Sequence, residues 1–174
     1  MIAGARTLAI MLIGVSATVS PGLADRSPWL IWNASASVPI GLYAIHTVGV
    51  LRVGDLVVAT PREPLASFLA DRGYLPLGVP LVKHVAALPG HSICRNGLKV
   101  SVDTIAIGEA RERDSRDRPL PLWHGCRVIA PGQVFLMNAQ SADSLDGRYF
   151  GPLPAASIVG RAAPLWTHRT AAEE

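Results

Sequence analysis

Lysine is rare in this chain, and one lysine lies in an apolar segment. The sequence has 174 residues with 16 lysines and arginines, of which only Lys83 and Lys99 are lysines. Lys83 lies within residues 80–90, which read PLVKHVAALPG. Burial lowers the pKa of an ammonium group, and a neutral lysine is a base. Two interpretations follow: Lys83 is a buried general base, or it lies at a strand edge and extends its amine to water.

A lysine base needs a proton donor to activate, and residues 33–43 offer two serines. This stretch reads NASASVPIGLY, so Ser35 and Ser37 are two residues apart and share a face in an extended chain. Pro39 and Gly41 then favour a turn, which would present a serine in a cleft. The alternative is a polar linker without a chemical role.

A third polar group lies in residues 144–152, which read SLDGRYFGP. Ser144, Asp146 and Arg148 alternate along the chain, so an extended segment would place them on one face. Asp146 and Arg148 can form an ion pair, which leaves the Ser144 hydroxyl to hydrogen-bond a lysine. The alternative is an ordinary polar turn.

Short strands must position these residues, because the chain has 14 prolines and 16 glycines between segments rich in Val, Ile and Leu. In the strand predicted over residues 80–87, alternation places Lys83 and His84 on opposite faces. The other predicted strands are 41–48, 55–59, 92–95, 100–102, 133–137 and 158–164. One helix is predicted over residues 64–72. The charged run 109–118 is predicted to be a solvated loop.

An apolar segment precedes these elements. Residues 7–24 contain no charged side chain and would span about 27 Å as a helix, close to the thickness of a bilayer core. Arg6 before the segment, and Trp29 and Trp32 after it, favour a membrane anchor with its amino terminus inside the cell. The alternatives are a cleaved signal peptide ending at Ala24 and a buried helix of a soluble protein.

An anchor or a signal peptide would export the rest of the chain. We therefore expect residues 1–28 to be the anchor or signal segment and residues 29–174 to be one exported domain. Cys94 and Cys126 would then lie in an oxidising compartment, which favours a disulfide over two separate buried thiols. Two cysteines without paired histidines give no zinc signature. A net charge of +3, with acidic and basic residues mixed, argues against a nucleic-acid-binding protein.

Taken in order, these stretches resemble the signal peptidase I superfamily of serine endopeptidases. That family has an N-terminal anchor, a Ser-x-Ser segment ending in proline, a Gly-Asp strand, a Lys box ending in Leu-Pro-Gly, and a Ser-x-Asp-x-Arg-Tyr box. The corresponding stretches here are residues 35–39, 54–55, 83–90 and 144–151. The resemblance implies a mainly antiparallel β domain with one N-terminal transmembrane helix and a short inserted helix. It implies no metal and no organic cofactor.

The resemblance also implies catalytic roles for the matched residues. Ser37 would be the nucleophile and Lys83 its general base, which is a known variant of the triad. The Ser37 backbone N–H and the Ser35 hydroxyl would form the oxyanion hole.

Three further matched residues would support the site. Ser144 would orient the Lys83 amine, while Asp146 and Arg148 would form a salt bridge beneath it. The domain would lie in the periplasm, with an exposed apolar surface near the cleft resting on the lipid of the inner membrane.

Several details are similar to one branch of the superfamily, the conjugative-transfer (TraF-type) peptidases. Val38 follows Ser37, where housekeeping signal peptidases have methionine, and His91 follows Leu-Pro-Gly, where they usually have aspartate. The stretches SVPIGLY, PLVKHVAALPG and SLDGRYFG are similar to those of the conjugative-transfer branch. Its members mature pilin or other components of plasmid transfer systems, so the implied substrate is a pilin-like precursor protein.

Other functions stay open. The chain can be a general type I signal peptidase of secretory preproteins, or a non-catalytic exported β module that binds a partner. A Ser-His-Asp hydrolase using His84 is possible on composition, but no Gly-x-Ser-x-Gly elbow is present. Self-cleaving repressors share Ser-Lys chemistry, but here a membrane segment takes the place of their DNA-binding head. The remaining histidines are expected at the surface or in turns: His46, His91, His124 and His168.

Overall fold

The computed structural model describes Met11 and residues 29–168 of the chain. The described residues form eleven strands: β1 Leu30–Asn33, β2 Gly41–His46, β3 Leu56–Ala59, β4 Leu81–Ala87, β5 Ser92–Asn96, β6 Lys99–Val102, β7 Ile105–Glu109, β8 Gly125–Val128, β9 Gln133–Leu136, β10 Leu153–Pro154 and β11 Ile158–Thr167. Helix α1 is Leu65–Asp71, helix α2 is Gly147–Phe150, and a 3₁₀ turn spans Ala155–Ser157.

The strands form two antiparallel sheets. The larger sheet has the order β1-β2-β11-β3-β4-β9-β10, and the smaller has the order β7-β6-β5-β8. Strand β4, which carries Lys83, lies between β3 and β9 in the larger sheet, and Lys83 faces Val57 of β3. Because β4 has a neighbour on both sides, the interpretation of Lys83 as an edge lysine is wrong.

The mainly β fold and the helix predicted over residues 64–72 are confirmed. All seven predicted strands are present, and four further strands and α2 were not predicted. The anchor or signal segment expected over residues 1–28 lies outside the described residues, apart from Met11. Among the helices that the structure describes, none is long and apolar enough to cross a membrane.

A shared core holds the two sheets together. Ala87 and Phe135 of the larger sheet pack with Ile93 and Val100 of the smaller sheet, and all four are fully buried. A disulfide joins Cys94 of β5 to Cys126 of β8, where the two residues are direct partners across the strands. The disulfide thus ties two strands of the smaller sheet together, while the shared core packs that sheet against β4 and β9.

Candidate active site

The stretch between β1 and β2 is a turn that brings two serine hydroxyls together. The chain through these serines is not extended, because Ser35 lies in a bend and Ser37 in a turn. Ser35 Oγ nevertheless lies 3.0 Å from Ser37 Oγ. The buried Asn33 amide donates to the carbonyl oxygens of Ser35, Val38 and Pro39 at 2.7, 3.1 and 3.1 Å. One side chain thus fixes the backbone on both sides of Ser37.

Strand β2 fixes the end of this turn. The Tyr43 hydroxyl donates to the Pro39 carbonyl oxygen at 2.6 Å. Burial raises the pKa of Tyr43, so the hydroxyl stays protonated as a donor. At Gly41, an added Cβ would lie 2.1 Å from the Trp166 carbonyl oxygen. Only glycine therefore allows β2 to approach β11 where the turn ends.

Lys83 is a buried amine with one hydrogen-bond partner. Its side chain is 4% exposed, and its Nζ donates to Ser144 Oγ at 2.7 Å. Burial lowers the pKa of Lys83 from 10.5 to about 8; the Asp146 carboxylate opposes this shift and Arg148 adds to it. A much larger fraction of this amine is neutral near pH 8 than of an exposed lysine, so the group can accept a proton.

Asp146 and Arg148 form a buried ion pair beside Lys83. Arg148 Nε and Nη2 lie 2.9 Å from Asp146 Oδ1 and Oδ2, which is a two-point contact. The segment is not extended here, because Asp146 caps α2 and accepts the Arg148 N–H at 3.1 Å. The Arg148 guanidinium also donates to four carbonyl oxygens, those of Glu109, Asn138, Ser141 and Ser144. The pair thus holds the loop that carries Ser144.

Asn138 links the strand of Lys83 to this ion pair, and sequence analysis gave it no role. Its Nδ2 donates to the Val82 carbonyl oxygen at 3.2 Å, and its Oδ1 accepts the His84 N–H at 3.0 Å. Its own N–H donates to Asp146 Oδ2 at 3.0 Å. Asn138 therefore forms hydrogen bonds with the backbone of Val82 and His84, the two residues that flank Lys83. The available signal was a polar residue directly after the apolar run 134–137.

The Ser-His-Asp alternative has no support in this geometry. His84 Nδ1 lies 3.1 Å from Asn138 Oδ1, and no hydrogen bond joins the ring to a serine within residues 29–168. The other histidines lie at the surface, and His91 pairs with Asp103 at 2.5 Å. Across the described residues, no three His, Cys, Asp or Glu side chains are grouped as metal ligands.

Ser37, Lys83 and Ser144 line one cleft of about 450 Å³. Ser35 contributes a hydroxyl to it, and Leu81 contributes an apolar wall. Within the part of the chain that the structure describes, Ser37 Oγ forms a hydrogen bond with Ser35 Oγ. No hydrogen bond joins Ser37 Oγ to Lys83. The cleft places a hydroxyl and a buried amine, the groups that a nucleophile and a base require, beside apolar walls.

Comparison with known proteins gives consistent matches. The sequence model of the signal peptidase family, peptidase S26, matches residues 3–166. "Conjugal transfer protein TraF" of Agrobacterium fabrum is 34% identical over 151 residues, covering 78% of this chain and 81% of that protein. "Probable conjugal transfer protein TraF" of Sinorhizobium fredii is 34% identical over 146 residues, covering 78% and 76%. A crystal structure of a signal peptidase I from Enterococcus faecalis aligns with a TM-score of 0.39 at 16% identity, covering 66% of this chain and 98% of that one.

Proposed function

Because this chain belongs to the signal peptidase family, peptidase S26, we propose that it is a serine endopeptidase with a Ser-Lys dyad. Ser37 is the nucleophile and Lys83 is its general base. The observation that carries the proposal is the buried Lys83 amine, held by Ser144 in the cleft that Ser37 lines. A buried lysine is costly to maintain, and such a cost is usual where a neutral amine is needed.

The reaction follows from the groups in the cleft. Neutral Lys83 takes the proton of Ser37 as Oγ attacks the carbonyl carbon of the scissile bond. The Ser37 N–H and the Ser35 hydroxyl donate to the oxyanion of the tetrahedral intermediate. Its collapse breaks the C–N bond, and the leaving amine takes the proton from Lys83. Water then attacks the ester with Lys83 again as base, which releases the acid and restores Ser37.

The substrate is a precursor protein. Relatives bear the names of conjugal transfer proteins, and we propose a pilin-like precursor or another component of a transfer system. Residues 1–28 then form the anchor in the inner membrane, and residues 29–174 form the domain in the periplasm.

An exposed aromatic surface supports contact with lipid. Trp29, Trp32 and Trp166 are more than half exposed, and the rings of Trp32 and Trp166 are 5.8 Å apart. Tryptophan is enriched at membrane interfaces. Strand β1, which carries Trp32, ends at Asn33 next to the turn of Ser37, so this surface would hold the cleft near the membrane.

A cleavage assay tests the proposal. We would express the full chain in membranes with a candidate pilin precursor, beside Ser37→Ala and Lys83→Arg. Arginine cannot act as a neutral base, so both variants should leave the precursor whole. Lys99→Arg, at an exposed position, is the matched control and should cleave as the wild type does.

The outcomes separate the alternatives. Cleavage by Ser37→Ala or Lys83→Arg at the wild-type rate would remove the dyad, and equal cleavage in membranes without the chain would favour a non-catalytic binding module. If the wild type leaves the pilin precursor whole but trims a secretory preprotein, the chain is a general signal peptidase.

A further inference from the structure

A second cavity lies beside the cleft. Its volume is about 440 Å³, and it shares Tyr74, Asp143 and Leu145 with the cleft that Ser37 lines. The rest of its lining comes mainly from residues 111–115 of the charged loop between β7 and β8, together with Leu120 and Tyr149. A peptide lying in the cleft can therefore continue into this cavity.

One end of the charged loop is fixed to α2. The Arg111 N–H donates to the buried Tyr149 hydroxyl at 3.0 Å. Arg148 donates to the Glu109 carbonyl oxygen at 3.2 Å. The short helix that braces the candidate active site therefore also places Arg111, and the cavity keeps a fixed position relative to Ser144.

The far end of the loop is fixed near the end of α1. The Tyr74 hydroxyl donates to Asp114, and Arg118 Nε donates to the same carboxylate at 2.7 Å. Arg118 also donates to the Arg72 carbonyl oxygen at 3.0 Å. The prediction of a merely solvated loop is thus incomplete, because both ends are anchored to helices next to the cleft.

The carboxylate of Asp114 is fully engaged. Besides Tyr74 and Arg118, the N–H groups of Arg116 and Arg118 donate to it, both at 2.9 Å. Burial would raise the pKa of Asp114, but these hydrogen bonds outweigh it and hold the pKa well below its ordinary value. Asp114 therefore stays ionised, with both oxygens occupied by the loop itself.

The two arginines that line the cavity, Arg111 and Arg113, form ion pairs only with exposed side chains. Arg111 pairs with Asp143 and Arg113 pairs with Asp117; all four side chains are more than half exposed. Exposed pairs contribute little, so a carboxylate from a ligand can replace Asp143 or Asp117 at small cost. The lining holds Asp114 and Asp143 as well as these two arginines, but Asp114 is occupied by its own hydrogen bonds, so Arg111 and Arg113 are the groups left to pair with a ligand carboxylate.

We propose that this cavity is a second substrate subsite, which binds an acidic residue of the precursor a few residues from the scissile bond. The substrate carboxylate pairs with Arg111 and Arg113, and the adjoining chain packs on Leu120 and Leu145. Asp143 lines both cavities, so its place beside Arg111 is where the substrate enters the subsite. This inference rests on the proposed peptidase function.

Binding and cleavage of one peptide set test it. The set consists of alanine-rich, fluorescently labelled decapeptides in which Glu or Gln occupies each position in turn. Binding is measured to the full-length Ser37→Ala protein in detergent, and cleavage is measured with the wild type. At one or two adjacent positions, Glu should bind about 2- to 5-fold tighter than Gln, the range expected of an exposed ion pair.

Variants of the loop identify the site. Replacing Arg111 and Arg113 together by Gln should remove the preference for Glu, and replacing both by Glu should reverse it in favour of Gln. Arg116→Gln is the matched control, because Arg116 is exposed in the same loop and lines neither cavity. It should keep the preference.

Each outcome decides one claim. Equal or absent binding of the Glu and Gln peptides at every position overturns the subsite, whether or not the peptides are cut. The same holds if the Arg111 and Arg113 variants keep the preference, or if Arg116→Gln loses it equally. A preference in binding, with no peptide cut by the wild type, supports the subsite and contradicts the peptidase function.

Discussion

Lys83 Nζ donates a hydrogen bond of 2.7 Å to Ser144 Oγ, and neither side chain is more than 4% exposed. The bond joins β4 to the loop before α2. The Ser144 oxygen can accept a hydrogen bond from the Lys83 amine, whether the amine is charged or neutral. Lys83 can therefore gain and lose a proton without changing position, as a general base must.

The pH dependence of cleavage should reveal this amine. Its pKa of about 8 means that the neutral, active form increases as the pH rises through that value. We expect kcat/KM to rise from about pH 6 and to reach half its maximum near pH 8. Steady-state rates on a peptide substrate would show this, and a profile that is flat up to about pH 9 contradicts the assignment.

Removing the amine should stabilise the fold. The folded pKa lies below the ordinary value of 10.5, so the unfolded chain binds the proton more tightly. The free-energy cost of holding a charged Lys83 amine in the folded protein is therefore fully present below about pH 8, and it disappears as the pH rises towards 10.5. Lys83→Met should raise the free energy of unfolding by up to about 3 kcal/mol at pH 7 and abolish cleavage.

Urea unfolding of Lys83→Met at several pH values checks this. The gain in free energy of unfolding should shrink above about pH 8, because the wild type no longer bears the cost of a charged, buried amine. Lys99→Met, at an exposed position, should change stability by less than about 0.5 kcal/mol. A loss of stability in Lys83→Met would mean that the buried charge is better compensated than burial suggests.

The ion pair beneath the site should be costly to break. Arg148→Met leaves the Asp146 carboxylate buried without its cation, and such a change typically costs about 3–5 kcal/mol. Thermal or urea unfolding measures this, and Arg116→Met at an exposed position is the control. Unchanged stability would show that water replaces the guanidinium and that the pair does not hold the loop of Ser144.

The turn that holds Ser37 should depend on the side-chain amide of Asn33. Asn33→Asp keeps the acceptor for Ser35 but loses the donor to three carbonyl oxygens, which should cost about 1–3 kcal/mol. We expect kcat to fall more than KM changes, because Ser37, the proposed nucleophile, loses its fixed position. Asn96→Asp, at an exposed strand end, is the matched control. Normal kcat in Asn33→Asp would show that Tyr43 alone holds the turn.

The disulfide should stabilise the folded domain by restricting the conformations of the unfolded chain. Cys94 and Cys126 are 32 residues apart, and closing a loop of this size is worth about 3.5–4 kcal/mol in the chain-entropy estimate. The double Cys→Ser variant should lose about this much free energy of unfolding, and reduction of the wild type should reproduce the loss. Identical unfolding curves would show that the bond does not form in the expressed protein.

The apolar context of Lys83 left two interpretations, a buried base and an edge lysine, and only the place of β4 between β3 and β9 decides between them. Alternation in β4 placed it among residues that the structure buries, and Gly and Pro marked most strand ends. Strand β8 was not predictable in this way, because it is only four residues long and all four are exposed. It forms because Cys126 pairs across to β5.

The support of the site was harder to predict than its reactive groups. Asn138 acts through its carbonyl and amide groups on the backbone of β4, and such contacts leave no periodic pattern in the sequence. Gly147 is a second example. An added Cβ there would lie 2.5 Å from Phe135, so glycine lets α2 lie directly on β9. Both depend on long-range packing, which alternation along a strand does not encode.

The order in which the ribosome makes these parts has a consequence for the proposed enzyme. Ser144 follows Lys83 by 61 residues, and β9 and Asn138 also come later in the chain. A chain that ends before β9 contains Ser37 and Lys83, the proposed nucleophile and base, but lacks the strand beside β4 and the Ser144 hydroxyl that accepts the Lys83 hydrogen bond. The proposed site is therefore completed only by residues made after both members of the dyad.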